Sequence, residues 1–198
     1  MKLGILGGTF DPIHLGHLHV ARAALREGGL DSVLFLPDGD PPHKTPETPA
    51  RERLRMVRLA ICDEPCFWVS DMEIRRKGRT YTVDTLLALK KEEPQRELVY
   101  LIGSDTLFLF PTWRTAEKVA TLCTMLVVMR EGDQKAAVQA EQRKLHQEYG
   151  LVSRLLEARG LPISSSQIRE AREKGEDITG LVPPEVAAYI KDQGLYLG

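Results

Sequence analysis

The stretch that decides the fold is Leu3-Gly4-Ile5-Leu6-Gly7-Gly8-Thr9-Phe10-Asp11-Pro12-Ile13-His14-Leu15-Gly16-His17. Its first four residues form a short apolar run that stops at a glycine pair, the pattern of a buried strand leaving a sheet. From about Leu15 the apolar spacing becomes helical and runs to Glu27, closed by Gly28-Gly29. A buried strand, a glycine turn and a helix in that order predict the opening unit of a parallel sheet. The turn is also suited to an anion. Glycines let backbone approach a ligand closely, and a helix N-terminus presents free N–H groups and partial positive charge. His14 and His17 are three residues apart, so they share a face of the first helical turn, and Gly16 adds no bulk between them. Two imidazoles so placed can both touch a polyphosphate. The competing reading is an ordinary turn with surface histidines, and a glycine pair alone would not displace it. The two histidines, Gly16 and the position after the first strand together do. A three-histidine metal site with His19 fits poorly, because His19 points elsewhere on the helix.

Downstream the alternation continues. Strands are expected at Val33–Leu36, Phe67–Val69, Leu98–Ile102, Met125–Met129 and, weakened by Arg154, Val152–Leu156. Helices are expected at Arg51–Asp63, with Leu54, Val57 and Ile61 on one face, and at Thr80–Glu92, with Val83, Leu86, Leu87 and Lys90 in helical spacing. Further helices are expected at Ala116–Leu122, Ala136–Glu148, Ser164–Glu173 and Pro184–Lys191. Residues 37–49 hold five prolines and must form an irregular loop. The class is therefore α/β: a doubly wound, Rossmann-like parallel sheet. No linker or repeat interrupts it, so residues 1–198 are expected to form a single domain, with a C-terminal helical part from about 164 to 198. Such sheets bind ligands beyond the carboxyl ends of their strands, here after the first, fourth and fifth.

Composition narrows the function. A net charge of −1 argues against a nucleic-acid binder working by bulk electrostatics, though not against a local phosphate site. No apolar run approaches the ~18 residues of a membrane span. The N-terminal segment has none of the features of a secretory signal, so a cytoplasmic location and no membrane partner are expected. Cys62, Cys66 and Cys123 read as reduced thiols, and no second Cys/His pair follows to complete a zinc site. Arg51, Arg53, Arg55 and Arg58, on a helix with Glu52, read as a solvated face. Lys135–Glu148 reads as an exposed mixed-charge helix.

Other segments carry chemistry. Ile163-Ser164-Ser165-Ser166-Gln167-Ile168-Arg169 leads three hydroxyls into a helix whose first turn carries an arginine, and both groups suit phosphate oxygens. Alone this is a capped helix with a surface arginine. Tyr100-Leu101-Ile102-Gly103-Ser104-Asp105 ends a strand in a turn whose aspartate can accept from ribose hydroxyls, or in which Ser104 or Asp105 caps a helix. Trp113, in Thr112-Trp113-Arg114, sits in a proline-marked polar turn and suits stacking on a flat ring, although most tryptophans are core. Thr80-Tyr81-Thr82 opens a helix, Pro41-Pro42-His43-Lys44 lies in the proline-rich loop, and Arg130 ends a strand.

Gly8–His17 resembles the histidine-x-glycine-histidine signature of the nucleotidylyltransferase superfamily. Ser164–Arg169 resembles its second signature, with Ser166 in the third hydroxyl place. The intervening segments are similar to those of bacterial nicotinate-mononucleotide adenylyltransferases over nearly the whole chain. That resemblance implies transfer of AMP from ATP to nicotinate mononucleotide, releasing pyrophosphate. It implies that His14 contacts the α-phosphate and His17 the leaving phosphates, that Ser165, Ser166 and Arg169 hold the triphosphate, and that Gly103 and Asp105 bind the ribose. Gly8, Thr9 and Phe10 would run along the nucleotide. His43, Lys44 and Arg130 would surround the acceptor phosphate, Trp113 would stack on the pyridine, and Tyr81, Thr82 and the main-chain N–H of Arg114 would read its carboxylate. Mg²⁺ would bridge ATP oxygens with water rather than protein as its other ligands. Nicotinamide mononucleotide as acceptor, a cytidylyltransferase for an alcohol phosphate, and a nucleotide-sensing protein without turnover remain as alternatives. The oligomeric state, monomer or homo-oligomer, is not legible in the sequence.

Overall fold

A computed structural model describes residues 1–39, 45–76 and 78–197. Six strands form one parallel sheet: β1 (Lys2–Gly8), β2 (Ser32–Pro37), β3 (Phe67–Val69), β4 (Glu97–Gly103), β5 (Thr124–Met129) and β6 (Ser153–Arg159). Their spatial order is β3-β2-β1-β4-β5-β6, and every neighbouring pair is parallel. The chain winds outward from β1 in one direction, then returns and winds outward from β4 in the other. The two halves meet between β1 and β4, where the loops diverge and leave a crevice.

The helices are α1 (Leu15–Gly28), α2 (Ala50–Ala60), α3 (Met72–Arg75), α4 (Thr82–Glu92), α5 (Ser104–Phe108), α6 (Ala116–Leu122), α7 (Lys135–Tyr149), α8 (Ser165–Glu173) and α9 (Pro184–Asp192). Strand alternation decides which core each residue joins. On β5, Leu126 and Val128 face one cluster, while Met125 and Val127 face the other. The first cluster is covered by α1, α2, α8 and α9 through Ala24, Val57, Ile168 and Ile190. The second is covered by α4 to α7 through Leu86, Leu107, Val119 and Leu145. Each fully buried valine, leucine or isoleucine of this kind stabilises by about 1.5–3 kcal/mol, so both faces contribute to holding the sheet under the crevice. Helix α1 stops at Gly29, whose φ of 65° is the left-handed conformation that ends a helix without side-chain penalty.

Most elements match the sequence reading within two or three residues, including β3 and α6. The last strand is longer than expected, running to Arg159, because Glu157 and Ala158 N–H groups are satisfied by the Glu27 carboxylate of α1. Two short helices, α3 and α5, escaped it. In α4 the buried stripe is Val83, Leu86 and Leu89, and Leu87 is exposed. The helix is rotated because Thr85 is buried as well, donating to Glu73 at 2.6 Å. The arginine face of α2 also needs correction. Arg51, Arg55 and Arg58 are exposed, but Arg53 is 1% exposed. A buried guanidinium requires partners, and it finds them in the loops beside the crevice.

Candidate active site

The carboxyl ends of β1, β4 and β5 open into a cavity of about 960 Å³ at the switch point. Gly8, His14 and His17 form one wall, Gly103 and Trp113 another, and Ser166 with Arg169 a third. His14 is the N-cap of α1 and His17 lies one turn on, so the pair stands at the positive end of that helix. Their rings are stacked, with centroids 3.7 Å apart and planes 31° from parallel. The His14 N–H donates to Nδ1 of His17 at 3.2 Å. That bond fixes the His17 tautomer when the ring is neutral: Nδ1 accepts, so Nε2 carries the proton and is a donor.

Burial keeps both rings neutral. It pulls His14 down to about 4, and pulls His17 well below the ordinary value, with His14 and Arg130 adding to the effect. A methyl group on Gly16 would come within 2.9 Å of His14 Nδ1, so the stack depends on the missing side chain between the histidines. The edge of His17 rests on Phe10, 5.0 Å between centroids. Phe10 is buried and holds a φ of 50°, a conformation costly for an aromatic residue, of order 1–3 kcal/mol.

The two signature segments lie about 150 residues apart in sequence and meet here. Ser165 Oγ donates to Pro12 O at 2.9 Å, and Arg169 Nη1 donates to Asp11 O at 2.8 Å. Ser164 caps α8, accepting from Gln167 N–H. The start of α8 is therefore fastened to the loop that leads into α1, and Ser164, Ser165 and Ser166 line the same cavity as His14 and His17. Arg169 Nε also donates to Glu47 at 2.7 Å, so in this state its cation is shared with a carboxylate.

On the opposite wall Gly103 caps α5; neither Ser104 nor Asp105 does so. Ser104 is buried and donates to Asp133 instead. Asp105 pairs with Arg130 at 3.0 Å. Trp113 lines the cavity and packs edge-on against Tyr100 at 5.8 Å. Tyr81, Thr82 and Arg114 are not part of the cavity wall, and the Arg114 guanidinium lies 4.6 Å above the Tyr81 ring. His43 and Lys44 lie outside the described residues. Among the described residues no three His, Cys, Asp or Glu side chains converge on a metal position.

The sequence reading missed three residues here. Tyr100 lies in the cavity wall and meets the Thr82 hydroxyl. Asp11 is buried and accepts from Glu47 N–H, Thr48 N–H and Tyr196 OH, the last at 2.7 Å. Arg53 is the third. Only Arg53 had a signal: it lies four residues before Val57, on the buried side of α2.

The cytidylyltransferase-like family model matches residues 5–171, which spans both histidines and the α8 segment. A relative from Dehalococcoides mccartyi is 45% identical over 99% of this chain and 97% of its own, and bears the name "probable nicotinate-nucleotide adenylyltransferase". The chain belongs to the nicotinate-nucleotide adenylyltransferases of the cytidylyltransferase-like family. A Neisseria meningitidis relative of the same name is 41% identical over 98% of both chains. Among solved structures, Plasmodium falciparum nicotinic acid mononucleotide adenylyltransferase complexed with NaAD superposes with a TM-score of 0.82 over 98% of this chain and 97% of its own, at 21% identity. That likeness establishes a shared fold. As a nicotinate-nucleotide adenylyltransferase family member the chain is a nucleotidyltransferase, and no helix among the described residues is long and apolar enough to cross a membrane.

Proposed function

We propose that the cavity transfers AMP from MgATP to the phosphate of nicotinate mononucleotide. An acceptor phosphate oxygen attacks the α-phosphorus, the bond from that phosphorus to the β-phosphate bridge breaks, and pyrophosphate leaves. The acceptor is already ionised at neutral pH, so the reaction needs neither a protein nucleophile nor a general base. It needs in-line positioning and donors where charge grows. The observation that carries the reading is the meeting of the two signature segments across one cavity, through Ser165 to Pro12 and Arg169 to Asp11.

In this reading His14 contacts the α-phosphate and His17 Nε2 donates to the leaving phosphates. Neutral imidazole donors suit this task, since they bind the anion without a standing buried charge. Ser165, Ser166 and Arg169 hold the triphosphate, Arg169 exchanging Glu47 for phosphate oxygens. Gly103 and Asp105 bind the ribose, and Gly8, Thr9 and Phe10 line the nucleotide path. Arg130, with His43 and Lys44, takes the acceptor phosphate. Trp113 stacks on the pyridine, and Tyr81, Thr82 and the Arg114 N–H form the carboxylate end. Mg²⁺ enters as part of the MgATP substrate, its ligands being phosphate oxygens and water.

The test is to supply MgATP with nicotinate mononucleotide or nicotinamide mononucleotide in separate reactions and quantify the dinucleotide. A strong preference for the acid supports the reading. Equal or reversed preference removes the carboxylate role of Thr82 and Arg114 while leaving the reaction class.

A further inference from the structure

Arg53 projects from the first turn of α2 into the floor between two loops. Its Nη1 donates to Thr9 O at 2.5 Å and to Asp38 Oδ1 at 2.8 Å. Its Nη2 donates to Asp38 O at 2.8 Å, and its Nε to Thr48 O at 3.1 Å. Asp38 returns the connection, because its second carboxylate oxygen accepts from the Thr9 hydroxyl at 2.9 Å and its N–H donates to Gly8 O at 3.1 Å. One guanidinium thus binds the nucleotide loop after β1 and both flanks of the segment that carries His43 and Lys44.

We infer that Arg53 is a positioning residue that fixes the spacing between the ATP-binding loop at Thr9–Phe10 and the chain at Asp38 and Thr48. The inference rests on the proposed reaction for its kinetic consequence. The geometry calls for arginine in particular. The four acceptor atoms, on Thr9, Asp38 and Thr48, are met by Nη1, Nη2 and Nε, and only a planar fork with donors on both edges reaches all of them at once. Burying such a pair is not an efficient way to gain stability, so what it contributes is shape. The Thr9 carbonyl precedes Phe10, whose φ of 50° needs outside support, and the His17 ring rests on Phe10. Moving Thr9 therefore moves Phe10 and, with it, the His17 donor proposed to face the leaving group.

The experiment compares wild-type protein with Arg53→Lys, which keeps the charge but loses the fork. Steady-state kinetics are measured with MgATP and nicotinate mononucleotide, alongside thermal unfolding and peptide-level hydrogen exchange. The expected result is a cooperative fold, a kcat lower by about tenfold or more, and both KM values changed by less than about threefold, since misalignment costs rate rather than affinity. Exchange should speed up in peptides covering Thr9–Asp11 and 45–49, and stay unchanged in β5 and α9. Wild-type kcat, or exchange that rises evenly across the protein, would overturn the inference.

Should the lysine variant lose cooperative unfolding, Asp38→Asn decides. It leaves Arg53 in place and weakens only the charge-assisted contacts, so a kcat loss of about threefold with unchanged KM values is expected, and wild-type kcat overturns the inference. If wild-type protein makes no dinucleotide, the reading of the reaction has failed, and the exchange pattern alone decides the role of Arg53.

Discussion

At the phosphate end of the cavity the side chains are braced from behind. His17 is oriented by the His14 N–H, packed on Phe10 and half-buried, and Arg169 is tied to the Asp11 carbonyl. At the end where the proposed reaction places the acceptor, the groups are more exposed. Arg114 is exposed and lies 4.0 Å from Asp84, and Trp113 leans on Tyr100 and Phe110 with no hydrogen bond to its ring among the described residues. The contrast separates two tasks. Groups that meet developing charge must be in place before the reaction, because any reorganisation adds to the barrier. Groups that choose an acceptor act by binding, and a rim that packs a ring face can do that with less preparation.

The sharpest way to break this contrast is to remove a braced donor. His17→Ala should lower kcat by about 100-fold or more with little change in acceptor KM, measured by pyrophosphate release. An effect confined to KM would mean the braced end binds rather than catalyses. The rim should behave in the opposite way. Trp113→Ala should raise the KM for nicotinate mononucleotide about tenfold, in line with the stacking energy of an aromatic platform, and lower kcat less. Loss of kcat alone would erase the distinction.

Buried titratable groups at the two ends also respond to pH with opposite sign. His14 has its pKa lowered from 6.5 to about 4 by burial. Between those values the unfolded chain binds more protons, so His14 makes the fold less stable as pH falls from 6.5 toward 4. Glu73, behind the acceptor rim, is raised from 4.5 to about 7, chiefly by burial and against the Thr85 bond and Arg76. There the folded state binds more protons, so stability is lost as pH rises from 4.5 through 7. Glu73→Gln should therefore raise Tm at pH 8, by roughly 5 °C for a chain of this size, and make the decline toward pH 5 steeper. A Tm difference between variant and wild type that does not depend on pH would contradict the assignment.

The smallest effect is expected where Arg169 is shared. The Glu47 partner is more than half exposed, and pairs of that kind are worth about 0.2–1 kcal/mol. Glu47→Gln should lower the KM for MgATP by about twofold to fivefold and leave kcat unchanged, for a pair in that range. An unchanged KM would show that Arg169 does not leave Glu47 when the triphosphate binds.

The braced end was also the more legible one in the sequence. The strand, the glycine turn and the histidines are local, so spacing alone placed them, and the serine-led start of α8 announced itself by its cap. What escaped were contacts between distant segments. Tyr196 meets Asp11 across 185 residues, and nothing near either residue signals the other. Arg53 looks in sequence like the exposed arginines on either side of it, and only its phase with Val57 and Ala60 marks it as inward. The short helix α5 was hidden because five residues carry too little periodicity to distinguish a helix from a turn.

Whether this cavity moves AMP is read directly by ³¹P NMR of a reaction containing the protein, MgATP and nicotinate mononucleotide. Pyrophosphate and a dinucleotide P–O–P signal should appear in equal amounts as ATP and the mononucleotide phosphate disappear. Formation of ADP with orthophosphate or a phosphorylated acceptor, or no loss of ATP, would contradict it.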